Sequence, residues 1–195
     1  MSLGLIDRFH IWRRKMRWDR QYKKGKWDYL KNDTEAYRYR KIIDYVKTYG
    51  TKNPSILDLG AGEGVLNEHF IDFDYSFFEG VDYSKVSIDK ANKKQLRNST
   101  FTVADLHHYK PNRHFDIIIF NEAFYYIHDS ERARVLNIIL DHLNIGGLLI
   151  TSIYKEGIGC WEYFDIGRLE KLSFEKVDPP KEGTYWMVGA YKKQS

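Results

Sequence analysis

One cysteine, Cys160, is all the chain has. A disulfide framework inside the chain is therefore excluded, as is a zinc site built from several cysteines, and no metal site is expected. No apolar run approaches the ~20 residues that a membrane-spanning helix needs. The N-terminus lacks the apolar stretch of a secretory signal. A cytoplasmic protein without a transmembrane segment is expected. Internal repeats and low-complexity tracts are missing too. The 195 residues suffice for a single domain with a sizeable core. Aromatic residues are plentiful at 16%, enough either to line a cleft or to fill that core.

Charge is unevenly spread. Residues 1–26 hold nine basic residues and two acidic ones, a local balance of 9 − 2 = +7; the whole chain is +4, so residues 27–195 sum to −3. Leu5, Phe9, Trp12 and Met16 recur at helical spacing, which predicts an amphipathic basic helix. Nucleic acid, an anionic membrane surface and a phosphate-bearing small substrate are the partners such a helix suits; a plain solvated face is the fourth reading. Residues 22–31 combine Tyr22, Trp27 and Tyr29 with Gly25, which reads as an aromatic turn.

The stretch that organises the rest is 55–70. Ile56, Leu57 and Leu59 form the short apolar run of a buried parallel strand, with Asp58 inside it. Gly60, Gly62 and Gly64 then alternate with Ala61 and Glu63, and Val65, Leu66, His69 and Phe70 follow at helical spacing. Strand, glycine turn and helix is the architecture of a nucleotide-cofactor loop. The spacing is G-x-G-x-G, not the G-x-G-x-x-G of dinucleotide sites. Asp58 and Glu63 flank the turn and would repel a pyrophosphate from the helix N-terminus. An acidic turn suits a ligand with an amine and a cationic centre, and S-adenosylmethionine is one.

LDLGAGEG resembles motif I of the class I S-adenosylmethionine-dependent methyltransferases. The likeness covers about residues 34–195 and leaves 1–33 as a basic, aromatic N-terminal segment. It implies an α/β fold: a Rossmann-like three-layer sandwich whose seven-stranded, mostly parallel sheet carries an antiparallel C-terminal strand. The apolar runs agree. A strand is expected within 73–84, ending at Gly80-Val81-Asp82, and others at 101–103, 117–120 and 148–151, with two more in the C-terminal stretch around a Pro/Gly turn. Helices are expected from an Asp33 or Thr34 cap to Gly50, over 84–96 and over 131–143, the last stopped by Asn144-Ile145-Gly146-Gly147.

The resemblance also assigns roles. Asp58, Gly60, Ala61, Gly62 and Gly64 would hold the cofactor at the turn. Asp82 lies 22 residues after Gly60, about where a carboxylate accepts from ribose hydroxyls, with Tyr83 beside it. Asp105 would accept from the adenine amino group, the Leu106 amide would contact the ring, and Asn121 would stand near the methionine end. Glu122, Tyr125 and Tyr126 would face the substrate. Many small-molecule members carry histidines where Tyr125 and Tyr126 stand, so a histidine base at that place is excluded here; His128 could compensate. Glu122 and His128 are thus the candidate bases, and Tyr126 an orienting donor. The segment before the core folds over the cleft in many small members, which makes Tyr22 and Trp27 substrate-side candidates, and Trp161 is another from the aromatic stretch after the fifth strand.

The acceptor is read by elimination. The D/N/S-P-P-Y/F motif of adenine and amide methylation is absent, and so is a Pro-Cys nucleophile. The expected reaction is methyl transfer to an O or N atom of a small molecule, leaving S-adenosylhomocysteine. NEAFYYIHD is loosely similar to bacterial enzymes acting on amino sugars and polysaccharide precursors, which favours a sugar, and the basic N-terminus would suit an anionic, phosphorylated or nucleotide-linked precursor. Two other readings stay open: an RNA methyltransferase using the basic segment, and a non-catalytic S-adenosylmethionine-binding protein.

Overall fold

The computed structural model describes Arg13 and residues 16–195. Leu5, Phe9 and Trp12 of the expected amphipathic stripe lie outside the described residues. Residues 16–23 are helical, and Met16 is exposed. No helix among the described residues is long and apolar enough to cross a membrane.

The core elements are α1 (Asp33–Tyr49), β1 (Ser55–Leu59), α2 (Val65–Glu68), β2 (Phe77–Asp82), α3 (Lys85–Lys93), β3 (Ser99–Val103), β4 (Phe115–Asn121), α4 (Asp129–Asp141), β5 (Leu143–Tyr154), β6 (Leu169–Val177) and β7 (Trp186–Lys193). They form a seven-stranded sheet in the order β3-β2-β1-β4-β5-β7-β6. The first five strands pair in parallel, and β7 runs antiparallel to both β5 and β6. This is the Rossmann-like three-layer sandwich expected.

Strands buried on both faces read as continuous apolar runs. In β4, Ile117 and Ile119 pack towards α1, α2 and α3, whereas Ile118 and Phe120 pack towards α4. In β1, Ile56 takes the first face and Leu57 and Leu59 the second. The strand order reverses between β1 and β4, so the connections leaving their carboxyl ends turn to opposite faces of the sheet and leave a crevice, the place where open α/β sheets bind ligands.

Several boundaries depart from the sequence reading. Asn32, not Asp33 or Thr34, is the N-cap of α1, and its extended backbone does the work without a side-chain bond. α3 stops at Lys93, and Gln95 beyond it is left-handed. α4 covers Asp129–Asp141, and its last carbonyls do not need the glycine pair: the His142 N–H donates to Ile139 O, and Lys193 Nζ donates to Leu140 O and to Leu143 O at the start of β5, both at 2.7 Å. The expected stop at 144–147 lies instead inside β5, in a bulge opposite β4 where Leu143 pairs with Phe115 and Leu148 with Ile117. Gly146 supplies the left-handed residue of that bulge.

Candidate active site

The glycine turn closes the carboxyl end of β1 and is tied to β2. The N–H groups of Gly60 and Ala61 both donate to Val81 O, and that of Gly62 donates to Asp82 Oδ2 at 3.0 Å. Gly60 and Gly62 have φ of +86° and +56°, and added Cβ atoms would meet Ala123 Cβ at 2.5 Å and Tyr22 Oη at 2.8 Å. Both positions thus need glycine for conformation and for space. Gly64 differs from the expectation: it lines no part of the cavity, and its missing side chain makes room for the Phe101 ring, 2.9 Å from where a Cβ would stand.

Asp58 also departs from its expected direct contact. It is fully buried beneath the turn and outside the cavity wall, and neither carboxylate oxygen has a partner among the described residues. Burial, with the charge of Asp82 added, lifts its carboxyl to about 8 against the opposing pull of Arg38.

Asp82 ends β2 at the cavity wall, beside Tyr83. Its Oδ1 accepts from the Ser84 N–H at 2.8 Å and the Ser87 hydroxyl at 3.1 Å. Among the described residues Oδ2 accepts from the Gly62 N–H alone and is the freer oxygen. Asp105, Leu106 and His107 line the wall after β3. His107 Nε2 accepts from the His128 N–H, so Nδ1 bears the proton and donates to Asp105 Oδ1 at 2.8 Å. Burial raises the Asp105 carboxyl, but the two bonds from His107 outweigh it and hold the group below the usual range.

The N-terminal segment lies across this wall. Asp19 Oδ1 accepts from the Ser84 hydroxyl at 2.6 Å, and Lys90 Nζ donates to Tyr22 O at 3.2 Å. Glu63 is bound by Lys31 at 2.6 Å and by Lys90. Its charge is therefore answered within the protein, and it does not stand over the turn as a free anion against pyrophosphate, as the sequence suggested. Tyr22 is buried over Gly62. Trp18 stacks on Trp27 at 5.1 Å and meets Tyr126 edge-on at 5.0 Å, so the aromatic segment and the turn after β4 touch across the mouth.

Glu122 stands at the end of β4 with φ +58°, a left-handed conformation that is costly for a non-glycine residue. Its N–H donates to Ser152 O at 3.1 Å, and the strain aims the carboxylate into the cavity wall. Tyr125 Oη donates to Glu122 Oε2 at 3.1 Å. Arg38 Nη1 lies 3.6 Å from Glu122 Oε1, and Nη2 lies 3.0 Å from Glu35 Oε2. Burial lifts the Glu122 carboxyl to about 7, with Arg38 and Tyr125 pulling the other way. Asn121 lines the wall next to it and accepts from the Ser152 hydroxyl at 3.1 Å.

Arg38 and Glu35 were missed by sequence reasoning. The available signal was an arginine on the otherwise apolar inward face of α1, beside Tyr39 and Ile42. Two named candidates fall away. The His128 ring is exposed at the N-cap of α4 and bonds Ser130 Oγ at 2.8 Å, outside the cavity wall. Trp161 donates to Glu156 O and packs on Phe164 and Phe174, also away from the cavity. β7 contributes Trp186 in its place.

One cavity of about 460 Å³ joins these groups. Gly60, Ala61, Gly62, Asp82 and Asp105 stand at one end; Glu122, Arg38 and Trp186 stand at the other. A volume of this order is normal for a small-ligand site.

The methyltransferase domain profile matches residues 29–176. Malonyl-[acyl-carrier protein] O-methyltransferase 1 of Ilyobacter polytropus is 28% identical over 131 residues, 66% of this chain and 45% of that one. Trans-aconitate 2-methyltransferase of Agrobacterium fabrum is 32% identical over 97 residues, 49% of this chain and 37% of its own. The chain thus spans less than half the length of these two relatives. Among solved structures, Burkholderia thailandensis 1,6-didemethyltoxoflavin-N1-methyltransferase, with bound 1,6-didemethyltoxoflavin and S-adenosylhomocysteine, superposes with a TM-score of 0.75 at 15% identity, covering 100% of this chain and 92% of that one. That likeness establishes a shared fold. With the profile spanning most of the chain, the protein belongs to the methyltransferase domain family, among the class I S-adenosylmethionine-dependent methyltransferases.

Proposed function

We propose that the protein transfers a methyl group from S-adenosylmethionine to an O or N atom of a small molecule. The observation that carries this reading is a cavity that has the glycine turn, Asp82 at the end of β2 and Asp105 after β3 at one end and a half-buried, strained glutamate at the other. The residues present fit the cofactor. Gly60 and Gly62 form a cradle that side chains would fill, and the orphaned Asp58 carboxyl beneath it, held neutral in the protein alone, is placed to ionise in answer to an amine and a sulfonium. Asp82 Oδ2 is open to a ribose hydroxyl, with Tyr83 alongside. Asp105 has an oxygen left for the adenine amino group, and the Leu106 backbone borders the ring. Ala61 and Asn121 line the remainder. The bound cofactor supplies a methyl carbon activated by its sulfonium, so no acid is needed for the leaving group.

The chain's own work is to align the acceptor, exclude water and handle a proton. Glu122 is the base. A carboxyl near 7 is about half ionised at neutral pH, which suits proton removal from a hydroxyl. Tyr125 fixes its position, and Tyr126 at the mouth orients the acceptor. An amine that arrives unprotonated needs only the alignment. Malonyl groups and trans-aconitate, the substrates in the relatives' names, carry carboxylates. Here Glu35 and Glu122 already face Arg38, so a hydroxyl or amine acceptor suits this site better than a third carboxylate. Residues 18–32, with Tyr22 and Trp27, act as a lid that keeps water out.

A sugar or phosphorylated precursor is the second reading, favoured by Lys181 in the cavity wall and by Arg17, whose charge reaches Tyr126 and opposes the burial that raises its phenol. Incubation of the protein with methyl-labelled S-adenosylmethionine and either a small-molecule extract or total RNA separates the classes. Label is expected in ribonuclease-resistant, low-mass product. Label in RNA would move the function to the RNA reading, and no label in either would favour a non-catalytic binder.

A further inference from the structure

The acceptor end of the cavity has a chemistry of its own. Aromatic faces reach it from three elements: Trp27 and Tyr29 from the N-terminal segment, Tyr125 and Tyr126 from the turn after β4, and Trp186 from β7. Trp27 and Tyr29 have centroids 6.0 Å apart, and Tyr125 and Tyr126 4.4 Å apart. Flat, conjugated ligands gain most from such walls through stacking.

Two donors within these walls are unanswered. The indole Nε1 of Trp27 and Nε of Arg38 are buried and have no partner among the described residues, and Arg38 as a whole is only 2% exposed. A buried donor without an acceptor is costly, so each marks a place where a ligand atom is wanted. The charge balance decides what kind of atom. Arg38 is already flanked by two carboxylates, Glu35 at 3.0 Å and Glu122 at 3.6 Å. Lys31 is committed to Glu63 at 2.6 Å. A carboxylate or phosphate placed on Arg38 Nε would be attracted by one guanidinium and repelled by two neighbours of its own sign. Neutral acceptors such as a carbonyl or a ring nitrogen avoid that repulsion and still answer these donors.

Building on the methyltransferase reading above, we infer that the methyl acceptor is a neutral, flat heteroaromatic compound whose carbonyl and ring-nitrogen acceptors answer Trp27 Nε1–H and Arg38 Nε–H, with its own N–H or O–H facing Glu122. Lactams and fused-ring heterocycles carry this pattern of adjacent acceptor and donor. Phosphorylated sugars lack the stacking face and bring the wrong charge to Arg38.

Tryptophan fluorescence tests this directly, because Trp18, Trp27 and Trp186 all line the cavity. The full chain is saturated with S-adenosylhomocysteine and titrated with neutral heteroaromatic lactams (hypoxanthine and 4-quinolone), with 4-hydroxybenzoate as a flat anion and with glucose 6-phosphate. Saturable quenching by a lactam is expected, at least ~10-fold tighter than by either anion. Trp27→Phe keeps the ring and removes the donor, and is expected to weaken the lactam ~10-fold. Tighter binding of 4-hydroxybenzoate or glucose 6-phosphate overturns the proposal, as does unchanged lactam affinity in Trp27→Phe or no lactam binding at all, while leaving the methyltransferase reading intact. Failure of S-adenosylhomocysteine itself to bind strikes instead at the reading beneath it.

Discussion

Asp82→Ala is expected to weaken S-adenosylhomocysteine binding by roughly a hundredfold. Three donors converge on this carboxylate: the N–H of Gly62, the N–H of Ser84 and the hydroxyl of Ser87. The first holds the glycine turn against β2, and the other two hold the start of α3. Alanine releases all three and removes the oxygen offered to a ribose hydroxyl. Hydrogen bonds to a charged acceptor are worth ~1.5–3 kcal/mol each, and loss of about 3 kcal/mol of binding corresponds to roughly two decades in affinity. Asp82→Asn keeps one acceptor oxygen and is expected to fall between. Calorimetric titration of both variants reads this directly. Unchanged affinity in Asp82→Ala would mean that the end of β2 is not the ribose end of the site.

Asp58→Asn is expected to make the protein more stable at alkaline pH while weakening the cofactor. The Asp58 carboxyl is held at about 8 against an ordinary 3.8, because burial and Asp82 both disfavour its charge. A carboxyl raised on folding favours the native state most below its unfolded value, and that contribution is lost as pH climbs through the folded one. Wild-type stability should therefore decline by about 1.4 kcal/mol per pH unit between roughly pH 4 and 8 on account of this group alone. The asparagine variant lacks that slope. Denaturant unfolding at pH 5 and pH 8 is expected to show the gap between variant and wild type widening by about 4 kcal/mol, three units of that slope. A gap independent of pH would show that Asp58 is not held neutral in the folded protein without ligand. The same carboxylate that costs stability alone is the one positioned to answer a cationic ligand, which is a usual trade at functional sites.

Much of the architecture was legible because buried parallel strands announce themselves. Ile117 to Phe120 could only be a strand covered on both faces, and the glycine turn after Leu59 could only be a sharp reversal. Boundaries were less legible where a distant residue supplies the cap. Asn144 to Gly147 reads as a helix stop, but Lys193, far along the chain, bonds Leu140 O in the last turn of α4 and Leu143 O at the start of β5, which frees those residues for a bulge. In the site, Asp82, Asp105 and Asn121 line one cavity, as a reading of strand ends expects, because strand ends are fixed by the fold. Glu63 misled because its lysine partners come from the N-terminal segment and α3. His128 and Trp161 misled because proximity in sequence to the turn after β4, or to β5, does not decide which way a side chain points. Arg38 escaped notice because its significance depends on Glu122, 84 positions later, arriving beside it.

The most direct test of the cofactor assignment is calorimetric titration of the full chain with S-adenosylhomocysteine and, separately, with NAD. Saturable binding of S-adenosylhomocysteine at a single site, with no heat of binding from NAD, is expected from a glycine turn flanked by Asp82 and Asp105. Saturable binding of NAD with none of S-adenosylhomocysteine would contradict it.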